Sequence, residues 1–285
     1  MEQALVFDCE GDALVGVVNL PVSPLPRGVL IVVGGPQYRA GSHRQFTLLA
    51  RHLADAGIAS LRFDYRGMGD SSGGAKTFEF AGADIRSAID RLLECVPEVK
   101  EVVIWGLCDA ASAASIYAHH DSRVRGLVLL NPWVRTEQGI ARAQLRHYYL
   151  ARLFHRSFWQ KMAQGEFNVR QAARAFARLV LDAASLRRTS GSPDLSGAPL
   201  PHRMLDGLRR FQGRILFILS GNDLTAQEFK DLTTSAAEWR NLLDHPRVAR
   251  YDLPESNHTF ARREWRDQVA SWTAAWAKAD DIGER

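Results

Sequence analysis

Short runs of Val, Ile and Leu alternate along this chain with longer stretches whose apolar residues recur at helical spacing. That alternation restricts the fold more than any other feature. Val29–Val33, Ile58–Phe63, Val102–Trp105, Val124–Leu130 and Ile215–Leu219 are near-continuous apolar runs, the pattern of strands covered on both faces. Such strands need helices on both sides of the sheet, so successive strands run parallel through crossover helices. Two earlier runs, Leu5–Asp8 and Ala13–Leu20, flank Glu10-Gly11-Asp12 and predict a hairpin. A last run, Val248–Leu253, precedes a C-terminal helix. The expected class is α/β, a mostly parallel sheet of about eight strands flanked by helices.

Helical faces fill the intervals. Phe46, Leu49, Ala50 and Leu53 share one face, and Ser42 with Gln45 has the spacing of a capping box. Trp265, Val269, Trp272 and Trp276 share another, read as core packing. The alternation breaks once. Between Leu130 and Ile215 there are helical patterns around Tyr148–Met162 and Phe167–Leu181, then a Ser/Gly/Pro-rich stretch, Thr189–Pro201, but no strand pattern. Residues 133–210 are therefore expected to form a helical cap inserted after the sixth strand. The core would comprise residues 1–132 and 211–285.

Composition narrows the function. Hydrophobic residues at 46% and charged residues at 24% exclude disordered, collagenous and coiled-coil classes. No apolar run approaches the roughly 18 residues of a membrane span. The N-terminal residues Met-Glu-Gln-Ala lack a basic region, so no signal peptide is expected. Three cysteines, Cys9, Cys95 and Cys108, form no CxxC pair, as expected of a reduced, cytoplasmic protein. The net charge of +4 conceals an asymmetry: segment 133–210 carries +9 and the remainder −5. A basic segment suits an anionic ligand, nucleic acid, a membrane surface or a solvated helix surface.

The strongest chemical signal is Trp105-Gly106-Leu107-Cys108-Asp109-Ala110, which follows an apolar strand and opens an Ala-rich helix. A strand-to-helix turn with small residues around a central nucleophile is a nucleophile elbow. Here the central residue is Cys108. Gly221-Asn222-Asp223 follows the strand at Ile215–Leu219, and Ser256-Asn257-His258 follows the last strand. Nucleophile, acid and histidine thus fall in the order this architecture uses, each past the C-terminal end of a strand. Gly69-Asp70-Ser71-Ser72-Gly73 superficially matches a serine-protease motif, but it stands in an α/β chain and its serines read as structural. The histidines include no HExxH, and His119-His120 is expected to point to different helix faces, so no metal site is expected. There is no P-loop ending and no nucleic-acid-binding motif.

These stretches resemble the α/β-hydrolases, in the peptidase S33-type branch. Within that branch the chain is similar to the exosortase A system-associated hydrolase 1 family of Gram-negative bacteria. The resemblance rests on Val33-Gly34-Gly35-Pro36-Gln37-Tyr38, Asp64-Tyr65-Arg66-Gly67-Met68-Gly69-Asp70-Ser71, Gly106-Leu107-Cys108-Asp109-Ala110 and Ser256-Asn257-His258. It implies an α/β-hydrolase fold and a setting near exosortase and exopolysaccharide genes, without supplying a substrate. An acyl-transfer site also needs oxyanion donors. The backbone N–H of Asp109 is one. Pro36 has none, so Gly35 or Gln37 supplies the other, and similarity to the His-Gly-Gly-Pro-Gly loop of proline iminopeptidases favours Gly35.

The expected chemistry is covalent acyl transfer through Cys108, His258 and Asp223, without cofactor or metal. A free cysteine is only a few per cent thiolate near neutral pH, so His258 must take its proton while Asp223 fixes the imidazole tautomer. The helix N-terminus favours the thiolate, and an inward Asp109 carboxylate opposes it. Esters, thioesters and lactones suit a thiolate better than amides, and dienelactone hydrolases set a precedent for Cys at the elbow. Arg142, Arg146 and Arg152 in the basic insertion, with Gln37, are candidate substrate contacts for an anionic, small-molecule or carrier-bound acyl group. The alternative is a non-catalytic α/β-hydrolase-fold protein that binds a ligand or partner. Oligomeric state is not legible.

Overall fold

The computed structural model describes residues 1–35, 37–135 and 198–279. The chain divides into one unit formed by Met1–Val134 with His202–Arg285 and a second formed by Arg135–Pro201. Most of the second unit, including Arg142, Arg146 and Arg152, lies outside the described residues.

The first unit is built on an eight-stranded sheet. Its strands are β1 (Glu2–Cys9), β2 (Asp12–Asn19), β3 (Arg27–Val32), β4 (Ser60–Phe63), β5 (Glu101–Leu107), β6 (Val124–Leu130), β7 (Arg214–Asn222) and β8 (Val248–Asn257). They are ordered β1-β2-β4-β3-β5-β6-β7-β8. β1 and β2 pair antiparallel, β2 pairs antiparallel with β4, and every later pairing is parallel. The hairpin turns tightly because Glu10 and Gly11 have φ of 53° and 89°, the left-handed pair that a two-residue hairpin requires. The chain passes from β3 outward to β4, then back across β3 to β5. The crevice between β3 and β5 is therefore a topological switch point, where open parallel sheets bind their ligands.

Helices α1 (Gln45–Asp55), α2 (Gly82–Cys95) and α3 (Asp109–Tyr117) follow β3, β4 and β5. Then come α4 (Leu200–Arg210), α5 (Leu224–Ser235), α6 (Ala237–Leu243) and α7 (Arg263–Lys278). On one face of the sheet, Val29, Ile31, Val103, Trp105, Val128, Leu130, Leu216 and Ile218 pack with Phe46, Leu49 and Leu53 of α1 and Val269, Ala270 and Ala274 of α7. Phe46, Phe63, Phe217 and Phe229 are fully buried, each contributing about 1.5–3 kcal/mol. The Trp265, Trp272 and Trp276 stripe packs against this core with its rings half-covered, and the Arg214 guanidinium lies 3.9 Å from the Trp276 ring centre.

Two sequence expectations are corrected. Ser42 does not cap α1: residues Ser42–Arg44 form a 3-10 turn without a side-chain cap bond, and Arg44 adopts φ 59° before the helix begins. His119 and His120 do not diverge. They sit in a 3-10 turn with ring centres 3.7 Å apart: the turn sets adjacent positions about 120° apart, and the two imidazoles lean back toward each other across that angle. The first unit takes up the chain again at His202. Met204, Leu205 and Leu208 of α4 are buried, and Gly207 lies so close to α3 that a Cβ would fall 2.3 Å from the Ser115 carbonyl.

Polar ties fix the loops at the C-terminal ends of the strands. Ser71 and Ser72 accept hydrogen bonds from Val15 and Ala13 backbone N–H groups at 2.9 and 2.8 Å, fastening the β4 loop to β2. Asp64 accepts from the Arg39 backbone at 2.6 Å and pairs with the Arg39 side chain, joining the β3 and β4 loops. Among the described residues no helix is long and apolar enough to cross a membrane.

Candidate active site

The end of β5 and the start of α3 meet at Cys108, whose φ of 62° and ψ of −123° lie outside the regions side chains favour. Holding a non-glycine residue there costs on the order of 1–3 kcal/mol, and neighbouring bonds sustain it. The Cys108 N–H donates to the Leu130 carbonyl at 2.9 Å, and its carbonyl accepts from Ala111 at 3.1 Å and Trp133 at 3.2 Å. Gly106 makes the turn possible: a Cβ there would lie 2.7 Å from the Ala110 backbone. Ala110, Ala111, Ala113 and Ala114 are all buried, so small residues let the helix sit against the sheet and lift the thiol above it.

Asp223 follows β7 and N-caps α5, accepting from Thr225 N–H at 3.3 Å and Ala226 N–H at 3.0 Å. Its Oδ2 also accepts from His258 Nδ1 at 2.9 Å. One carboxylate thus both caps the helix and holds the histidine. Burial pushes Asp223 upward, but its hydrogen bond and charge contact with His258, with the two capping N–H groups, bring it below the usual carboxylate range. Nδ1 being engaged, Nε2 is left for Cys108, which lines the same cavity as the ring. His258 is pushed up to about 10, first by its bond to Asp223 and then by the neighbouring Cys108, against the opposing effect of burial.

Asn131 escaped the sequence reading. It is fully buried with φ 42°. Its side chain donates to Ser220 Oγ at 2.8 Å and to the His258 carbonyl at 3.0 Å, and accepts from Ser220 N–H at 2.8 Å. It therefore joins the ends of β6, β7 and β8 and sets the backbone that carries His258. The available signal was a lone amide directly after the apolar run 124–130 and before Pro132.

Gly34, Gly35, Gln37, Phe46, Phe78, Leu107, Cys108, Asp109, Trp133 and His258 line a cavity of about 380 Å³. The structure thus brings together Cys108, His258 and Asp223, and sets Gly35, Gln37 and Asp109 beside them. One expected oxyanion donor is otherwise engaged: the Gly35 N–H donates to Asp109 Oδ2 at 2.7 Å. Gln37 faces the same cavity while its Oε1 accepts from Ser42 N–H at 3.3 Å. Among the described residues no cluster of His, Cys, Asp or Glu is arranged to hold a metal ion.

The sequence matches the family model described as serine aminopeptidase, S33, over residues 24–216. The chain belongs to that family. This S33 family chain is also similar in fold to an esterase of Pyrococcus furiosus, with a TM-score of 0.63 and 16% identity, over 97% of this chain and 93% of the other. A dienelactone hydrolase from Anabaena variabilis aligns at a TM-score of 0.61 and 14% identity, over 97% and 96% of the two chains. An α/β serine hydrolase without a lid from Xanthomonas campestris aligns at 0.59 and 16%, over 98% and 97%. At these identities the likeness establishes the α/β-hydrolase fold alone. No curated protein matches the sequence. The family's description names serine, whereas this chain carries Cys108 at the elbow.

Proposed function

We propose that this member of a hydrolase family cleaves esters or thioesters through an acyl-enzyme on Cys108, with His258 as base and acid and Asp223 as its orienting partner. The observation that carries this reading is the hydrogen bond from His258 Nδ1 to Asp223 at 2.9 Å, which leaves the rest of the imidazole to the cavity that it lines together with Cys108. His258 takes the thiol proton, and the thiolate forms a bond to the substrate carbonyl carbon while the carbonyl π pair moves to oxygen. Collapse restores the carbonyl and expels the alcohol or thiol, which leaves with the proton from His258. Water then attacks the thioester, His258 accepts its proton, and collapse releases the acid and the Cys108 thiolate. Part of the upward push on His258 comes from Cys108 itself. Acylation removes that contribution and so frees the imidazole to act as base toward water.

Hydrolysis by water fits the cavity, and acyl transfer to another small nucleophile would use the same steps. The basic segment 133–210 supports an anionic or carrier-bound acyl group held by Arg142, Arg146 and Arg152, with Gln37 at the cavity wall. Three free cysteines, one of them the proposed nucleophile, suit a reducing cytoplasm. The link to exosortase and exopolysaccharide functions is part of the same proposal and rests on the motif resemblance. One observation favours the non-catalytic alternative: the Gly35 donor is already occupied by Asp109.

A panel of short activated esters, acyl thioesters and aminoacyl anilides, each in neutral and anionic form, tests the reading. Esters and thioesters should be turned over and anilides should not. Arg→Glu changes at Arg142, Arg146 and Arg152 should raise KM for the anionic members and leave the neutral ones alone. Preference for the anilides would contradict the ester reading, and equal losses on neutral and anionic members would contradict the anionic one. Asp223→Asn should cut kcat by about 10⁴-fold, because the amide stabilises the wrong imidazole tautomer. Unchanged kcat would remove Asp223 from the mechanism.

A further inference from the structure

Of the residues that follow β3, two give the oxyanion no donor. The Gly35 N–H is taken by Asp109 Oδ2 at 2.7 Å, and Pro36 has no N–H. Gln37 comes next, and it lines the cavity that Cys108 lines. Its carboxamide is tied at one end, where Oε1 accepts from the Ser42 N–H at 3.3 Å. That bond settles which end of the amide is oxygen, because an amide nitrogen has no lone pair to offer another N–H. The other end, Nε2, carries two N–H donors and has no hydrogen-bond partner among the described residues.

Ties on either side of Gln37 hold the loop against the elbow. Gly34 lies so close to it that a Cβ would fall 2.6 Å from the Leu107 carbonyl. Beyond Gln37, the Arg39 N–H donates to the buried Asp64 at 2.6 Å, and the Gly41 N–H donates to the Tyr38 carbonyl at 2.8 Å. A donor fixed before the reaction needs no reorganisation as charge develops on the substrate oxygen.

We propose that Gln37 is a further catalytic residue, whose side-chain amide supplies the oxyanion hydrogen bond that the occupied Gly35 N–H does not. This rests on the acyl-transfer reading above. As the Cys108 sulfur bonds to the carbonyl carbon and the π pair moves to oxygen, an Nε2–H donates a hydrogen bond to that oxygen. No N–H bond breaks. The hydrogen bond weakens again when the pair returns and the leaving group departs with the proton from His258. The Asp109 carboxyl accepts from both Gly35 and Ala110, the latter at 3.0 Å, so it stands beside the nucleophile as an acceptor. An uncharged amide adds a donor there without a further titrating group.

The test compares kcat and KM for an activated acetyl ester in wild type, Gln37→Met and Gln37→Glu, together with the binding of a short aldehyde and of the corresponding alcohol. The aldehyde adds reversibly to the Cys108 thiol: the sulfur bonds to its carbon, the thiol proton passes to its oxygen, and that oxygen takes the place of the oxyanion. The alcohol forms no such bond. Met removes both the tie to Ser42 and the donor, whereas Glu keeps an oxygen for the Ser42 N–H and removes the donor alone. Both variants should lose about 10²–10³-fold in kcat with KM little changed, and Glu should lose more because its carboxylate repels the oxyanion. Aldehyde affinity should fall by about tenfold in both, and alcohol affinity should hold. Wild-type kcat in Met would overturn the proposal and give the role to the backbone N–H at position 37, which Met retains. Wild-type kcat in Glu would also overturn it and reduce Gln37 to a tie for Ser42. So would losses confined to KM or shared by the alcohol. A wild type that acylates on Cys108 and shows one of these results sinks the Gln37 role alone. A wild type that never acylates sinks the acyl-transfer reading and this role together.

Discussion

Replacing Cys108 by alanine is expected to lower kcat/KM for activated esters by about 10⁴-fold or more, leaving at most the residual catalysis of a binding site without its nucleophile. The fold should survive. The residue's backbone is held by Leu130, Ala111 and Trp133 rather than by the thiol, and alanine accepts the same φ of 62° at similar cost. Cys9 and Cys95 serve as internal controls. Cys9 is buried on the hairpin, and burial pushes its thiol up, away from the reactive thiolate. Neither lines the cavity that Cys108 faces. Loss of activity with an unchanged melting temperature would therefore report on chemistry, and activity retained by the alanine variant would mean that another group performs the reaction.

The largest stability effect is expected at Arg66. Its side chain and that of Asp84 are 4% and 3% exposed, and the guanidinium meets the carboxylate at 3.0–3.2 Å through Nε and Nη2. The Arg66 backbone N–H adds a bond to Asp84 at 2.8 Å. Arg66→Met would leave the Asp84 charge buried with no cation, a change that costs about 3–5 kcal/mol and lowers Tm by roughly 10 °C in a chain of this size. The double change Arg66→Met with Asp84→Leu should regain most of that loss, because the desolvation penalty disappears with both charges. The exposed Arg91–Glu94 pair provides the contrast, with an effect of about 0.5 kcal/mol or less. Thermal or urea melts of these variants against wild type check this, and a small loss at Arg66 would show that water reaches Asp84. The pair matters to the site because it anchors the β4 loop, which Asp64 and Arg39 join to the loop carrying Gly34 and Gly35.

The parallel strands were legible because burial on both faces leaves no alternation to disguise them: every residue of β4, and all but the first of β3, β5 and β7 up to Ser220, is buried. β8 was read short, ending at Leu253 rather than Asn257. It is an edge strand whose outer residues are polar, so backbone pairing to β7 extends it beyond the hydrophobic signal. The start of α1 was misread because a capping box specifies local bonding alone. Gly41, with φ 74° and no room for a Cβ beside the Phe46 ring, sets the entry instead. Residues 200–210 were placed with the insertion because no strand pattern precedes Ile215, and the close approach of Gly207 to α3 has no local signature.

The site divides in the same way. Cys108, Asp223 and His258 could be found because each follows a strand end, and strand order determines where those ends meet. What the sequence could not show is how side chains compete for one donor. Gly35 and Asp109 stand 74 residues apart, and both were assigned to the oxyanion through their backbones. The Asp109 carboxyl takes the Gly35 N–H because a glycine at position 34 leaves room for it. Asn131 was missed for a related reason. Its three partners come from β7 and β8, far along the chain.

The central claim is that Cys108 carries an acyl group during turnover, and intact-mass spectrometry reads that directly. Wild type and His258→Ala are mixed with an activated acetyl ester or a short acyl thioester, quenched in acid over time and weighed, with peptide mapping to locate the adduct. The account predicts a single acyl adduct on Cys108 that forms and decays in wild type, and that is slow or missing without His258. An unmodified Cys108, or acylation there no faster than at Cys9 and Cys95 in the unfolded chain, would contradict it.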